Sequence, residues 1–167
     1  REVALATTGS RKTSDVCRAV ELESALALAL EASSSAQIKV LSSLCKRLES
    51  EEHWVEAGEA ACAAAVVCMR ALASVAPDTS TWTAEEAIQL RDAFFGLGPR
   101  GAPEPTIAAL RVGAEEVGEK RVLEHLAAAA KCFTRGGFDE AAIRVVKASL
   151  KAWERRRDFK ALAAAHH

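Results

Sequence analysis

Gly137-Phe138-Asp139-Glu140-Ala141-Ala142 and His53-Trp54-Val55-Glu56-Ala57-Gly58-Glu59-Ala60 are the two stretches on which the reading of this chain turns. Each follows an amphipathic run, residues 122–133 in one case and 38–48 in the other. In each, a glycine or polar turn leads to an aromatic residue, then any residue, Glu, Ala and a small residue. An aromatic at that point anchors the corner of a helical hairpin, and small residues behind it let two backbones approach closely. The repetition predicts two equivalent α-hairpins with Trp54 and Phe138 as buried corner wedges.

Working outward, the composition agrees with helices. Alanine, the strongest helix former, is the most frequent residue, whereas aromatics make up only 5% and Tyr is absent. The β-branched and aromatic residues that favour strands are correspondingly sparse. The fold class expected is all-α, with antiparallel helical hairpins stacked in a tetratricopeptide/armadillo-like array. At 167 residues the chain is sized for one core. It divides into a polar N-terminal loop over 1–13 and a helical lobe over 14–167, with a flexible loop near 96–118. It begins at Arg1 and its only methionine is Met69, so it reads as a fragment of something larger.

Helical patterning starts near Ser14 with Val16, Val20, Leu22, Leu26 and Leu30, and Ser33-Ser34-Ser35 breaks it. The next helix places Ile38, Leu41, Leu44, Cys45 and Leu48 on one face. The helix from Trp54 has Arg70 as its only charge between Ala60 and Ala76, so it should be buried on most sides; Pro77 stops it. Thr83 and Glu86 form a capping box for a helix carrying Ile88, Leu90 and Phe94. Six glycines and prolines between Gly96 and Pro105 make a loop, and a weak helix is expected over 106–117. Val122, Leu123, Leu126, Ala130 and Phe133 mark a strong helix. The one after Gly136-Gly137 is expected to bury Phe138, Ala142, Val145, Val146, Leu150 and Trp153. Asp158 caps a last helix through Leu162 toward His166.

Several patterns bear on chemistry. With 22 basic and 23 acidic side chains the net charge is −1, which offers no field for nucleic acid or an anionic membrane. A membrane span needs about 20 strongly apolar residues, and the alanine-rich run from Ala60 is shorter and interrupted by Arg70, so no transmembrane segment is expected. The five cysteines, Cys17, Cys45, Cys62, Cys68 and Cys132, form no Cys-x-x-Cys and read as reduced thiols of a cytoplasmic protein.

Gly96-Leu97-Gly98-Pro99-Arg100-Gly101 matches a dinucleotide fingerprint literally, but it follows a helix and precedes prolines, the wrong context for phosphate binding. Cys62 and Cys68 lie about 120° apart on a helix. His53, His125, His166 and His167 lack the spacing that puts two ligands on one face. No nucleophile elbow occurs. Catalytic, cofactor-binding and metal residues are therefore all expected to be none, and no cofactor is called for. Lys151, Arg155, Arg156, Arg157 and Lys160 form one basic concentration. It offsets a helix dipole or, on a sharper reading, contacts an acidic partner or anionic headgroups.

The residues also resemble a known family. The segment 42–72, with His53 to Ala60 leading into Val66, Val67, Ala71 and Leu72, is similar to the DOCK (dedicator of cytokinesis) guanine nucleotide exchange factors. It resembles the first lobe of their second homology region. Trp82 and the helix after it resemble the plant-type, SPIKE-like branch. Leu123-Glu124-His125-Leu126-Ala127-Ala128-Ala129 through Phe133, then Gly137 to Ala141, resembles the family's second hairpin. Arg157-Asp158-Phe159-Lys160, with Leu162 and His166, matches a recurring family ending. Gly58 stands where the family has alanine, and Ala161 where lysine is common.

The resemblance implies a non-catalytic scaffold lobe of an exchange factor for a Rho/Rac/ROP GTPase. In that family the other lobes carry the exchange residues, and none is carried over to this chain. The implied partners are other lobes of the same polypeptide, a Rho-family GTPase through the parent protein, and a second copy in a homodimer. Localisation would be cytoplasmic, peripheral at membranes through other domains. The alternative is a free-standing tetratricopeptide-like interaction scaffold.

Overall fold

The computed structural model describes residues 34–75, 80–95 and 118–165. The expectations for the 1–13 loop, the helix from Ser14, Cys17, the loop near 96–118 with the weak helix inside it, and His166 lie outside the described residues. The described residues form six α-helices and the short turns that flank them: α1 (Ser34–Ser50), α2 (Trp54–Val75), α3 (Ala84–Phe95), α4 (Glu119–Arg135), α5 (Asp139–Arg155) and α6 (Phe159–Ala165).

Three of the connections are one turn used three times. After α1, the amides of Glu52 and His53 donate to the carbonyls of Glu49 and Leu48 at 3.2 and 2.9 Å. After α4, those of Gly137 and Phe138 donate to Thr134 and Phe133 at 3.2 and 2.8 Å. After α5, those of Arg157 and Asp158 donate to Glu154 and Trp153 at 3.0 and 2.9 Å. This is the Schellman closure, whose central residue adopts a left-handed backbone. Glu52, Gly137 and Arg157 have φ of 63°, 75° and 53°.

These turns put the two hairpins in register. Glu52 matches Gly137, and a constant offset of 85 residues then pairs buried positions all along. Leu41 goes with Leu126, Leu48 with Phe133, Ala57 with Ala142, Ala60 with Val145 and Ala64 with Ser149. The sequence motif had paired Trp54 with Phe138, one residue out of this register. One residue is about 100° around a helix. The expectation that Phe138 is a buried wedge is accordingly wrong: it sits before α5 in the place of His53, with its ring 52% exposed. Trp54 is half-buried, with the Arg135 guanidinium 4.9 Å above its ring centroid.

The alanine-rich α2 is the centre of the assembly, packing on α1, α3 and α4. Its small side chains allow close approach. At Gly58 a Cβ would lie 2.8 Å from the Phe133 ring, so the glycine is there to admit α4. Gly136, in the second turn, rests against Trp54 and Val55, and both hairpin turns therefore lie at the same end. By length and composition α2 could cross a membrane, but 56% of its most apolar stretch is buried within this fold.

The third helix begins as its capping box prescribes. The Thr83 amide donates to Glu86 Oε2 at 2.9 Å and the Glu86 amide to Thr83 Oγ1 at 3.1 Å. Trp82, 2% exposed, ties this helix to α5 by donating from Nε1 to the Ala148 carbonyl at 2.9 Å. Phe94 stacks on Phe133, with centroids 5.2 Å apart. On α5, Ala142, Val145, Ser149 and Ala152 are buried, whereas Val146, Leu150 and Trp153 are half-buried.

Candidate functional site

Three places carry polar or apolar groups that the packing leaves over. The first is the outer surface of the second hairpin. Four large apolar side chains are exposed among the described residues: Phe138 at 52%, Ile143 at 53%, Phe159 at 72% and Val75 at 64%. The first three belong to α5, its leading turn and α6. Phe159 opens the short helix α6. Its first turn is held by Asp158, whose Oδ1 accepts from the Ala161 amide at 3.1 Å, as the sequence implied.

The second place is a groove of about 340 Å³ between α1 and α4, walled by Lys46, Arg121 and His125 among others. Arg121 is engaged by Glu124, with Nη1 donating at 3.2 Å. His125 keeps Nε2 buried without a hydrogen-bond partner. Burial, with the Arg121 charge added, holds its pKa below the usual histidine range.

The third is a thiol–carboxylate cluster inside the α1–α4 contact. Cys45 and Glu49 are four residues apart on α1, and Cys132 reaches them from α4. Cys132 Sγ donates to Glu49 Oε1 at 3.2 Å, and Cys45 Sγ lies 3.9 Å from the same oxygen. Burial pushes the Cys132 thiol up to about 12, helped by its bond to Glu49. Burial and the Glu49 charge raise Cys45 as well, against its contact with Cys132 and the Lys131 cation. Cys68 is pushed up to about 12 by burial, and Cys62 is raised further, again by burial first. All four described cysteines are buried and free, as reduced thiols should be.

Sequence spacing had offered no metal set. The cluster was not legible because it joins residues 83 positions apart. The one available signal was the Cys45–Glu49 spacing on an inward face. Of the basic concentration at the end of α5, Lys151 pairs with Glu86, and Arg155 Nη1 donates to Thr81 Oγ1 at 3.1 Å. Those two cations therefore fasten α3 and the segment leading into it rather than stand free. Arg156 and Arg157 form the closing turn of α5.

Comparison with known families matches residues 21–167 to the family described as DHR-2, Lobe A. Comparison with curated proteins and with solved structures found no match. The match spans nearly the whole chain and takes in every described helix. The chain therefore belongs to the DHR-2 lobe A family, the lobe of DOCK-type guanine nucleotide exchange factors.

Proposed function

We propose that this chain is the non-catalytic scaffold lobe of a SPIKE-like exchange factor acting on a Rho/Rac/ROP GTPase in the cytoplasm, and that it works as a rigid buttress. The observation that carries the reading is that three of the four exposed large apolar side chains among the described residues, Phe138, Ile143 and Phe159, lie along the second hairpin and α6. A repeat scaffold that stands alone closes with a polar outer helix. Here the outer elements keep apolar side chains in water, which favours burial against another lobe over the free-standing interaction scaffold. Stacking of the two in-register hairpins in a tetratricopeptide-like manner would supply the stiffness.

The test is release of fluorescent GDP from a Rho-family GTPase by the parent polypeptide. Ile143→Asp with Phe159→Asp should slow release several-fold, while the isolated lobe keeps its helical circular dichroism and releases no nucleotide by itself. Unchanged release by the doubly substituted parent would refute the buttress.

A further inference from the structure

We propose that Cys45, Glu49 and Cys132 form a binding site for a thiophilic divalent cation of the zinc class. The site is independent of the exchange reading, because its three residues lie on α1 and α4 and none belongs to α5 or α6.

Geometry is the main argument. One ligand atom from each residue fits within a sphere of contacts no wider than 4.8 Å. In a tetrahedral zinc site, with Zn–S near 2.3 Å and Zn–O near 2.1 Å, a sulfur and an oxygen ligand sit about 3.5 Å apart and two sulfurs about 3.8 Å. The two sulfur–oxygen separations here, 3.2 and 3.9 Å, bracket that edge. Small rotations of side chains would complete the set without moving a helix.

The supports are well placed. Cys45 and Glu49 project from one helix at the four-residue spacing that sets two ligands on one face. Cys45 is 7% exposed and Cys132 fully buried, so both sulfurs are fixed by packing. Glu49 is only half-buried, which leaves a path for an ion and a fourth position for water. Two thiolates select a soft cation over magnesium or calcium, which prefer all-oxygen shells. Lys131, whose charge is felt at both sulfurs, would offset part of the anionic ligand set. Glu49 accepts from the Cys132 thiol and lies near that of Cys45.

Cobalt(II) titration of the full chain, kept reduced with a phosphine, tests the site. One equivalent should produce the near-ultraviolet thiolate-to-cobalt charge-transfer band, and zinc should displace it. Cys45→Ser and Cys132→Ser should each diminish the band. Glu49→Gln, at a partly exposed position that spares the fold, should weaken cobalt binding at least about tenfold. Cys68→Ser should change nothing. The proposal is overturned if folded, reduced protein gives no band, or if the band survives in the Cys45→Ser, Cys132→Ser double variant. It is also overturned if protein isolated with a Cys45–Cys132 disulfide gives no band after reduction.

Discussion

The two hairpins share a turn, a register and a pattern of inward positions, yet they occupy opposite situations. In the first, α2 is enclosed by α1, α3 and α4 and is lined with alanine, cysteine and glycine. In the second, α5 buries one narrow face of Ala142, Val145, Ser149 and Ala152 and leaves Ile143 in water. The same backbone plan thus serves as an interior layer once and as an outer layer once. Side-chain size follows: small residues where the described helices pack closely on α2, charged residues where they pack more sparsely on α5. Among the described residues, α5 is the more open of the two second helices, and its exposed Ile143 has no exposed counterpart in register on α2.

The largest expected effect concerns what joins the hairpins. Trp82 is anchored on the α5 backbone from the segment leading into α3, which itself leans on α2. Trp82→Ala should destabilise by about 3–5 kcal/mol in chemical denaturation, since it empties a large buried site. Ile143→Ala, on the exposed side of α5, should change stability by less than about 0.5 kcal/mol. Similar losses for the two would erase the interior-versus-outer distinction.

Next is the close approach of α2 and α4. Gly58→Ala should destabilise by about 1–3 kcal/mol, because the new methyl meets the Phe133 ring, even though alanine suits a helix better. Pairing it with Phe133→Leu should give a double variant less destabilised than the sum of the two. Simple additivity would mean that the ring yields freely.

The turns give a smaller and opposite-signed pair. Gly137→Ala should destabilise by about 1 kcal/mol, because alanine resists the left-handed backbone. Glu52→Gly, at the equivalent place, should stabilise by up to about 1 kcal/mol for the same reason. Thermal melts of the two variants should shift in opposite directions. Shifts of one sign would deny that the turns are equivalent.

The smallest effect is electrostatic. Partial burial tends to push the Glu86 carboxyl up, but Lys151 and the Thr83 cap hold it below the usual carboxylate range. A lowered folded pKa stabilises above the unfolded value of about 4.3, and the gain disappears as pH falls through the folded value. Glu86→Gln should therefore flatten the stability profile on the acid side of about pH 5. The magnitude should stay below about 1 kcal/mol, because Lys151 is exposed.

Much of the fold was legible in the sequence because its signals are local. The stripe of Ile38, Leu41, Leu44, Cys45 and Leu48, the Thr83–Glu86 box and the Asp158 cap each need only a few consecutive residues, and each stands as read. The misplacement of Phe138 has a physical cause. A motif pairs letters, whereas the turn is set by which residue turns left-handed, and at the first hairpin that residue is a glutamate with no glycine to betray it. The anchoring of Trp82 on α5 and the gathering of Cys45, Glu49 and Cys132 depend on long-range packing, which no local pattern encodes.

The claim that matters most is that the outer face of the second hairpin is an internal seam of a larger exchange factor. Hydroxyl-radical footprinting of Phe138, Ile143 and Phe159, in the isolated chain and in the parent polypeptide, measures this directly. The account predicts that oxidation of all three falls several-fold in the parent while that of Val75 serves as a separate reference. Equal oxidation of the three in both proteins would contradict it.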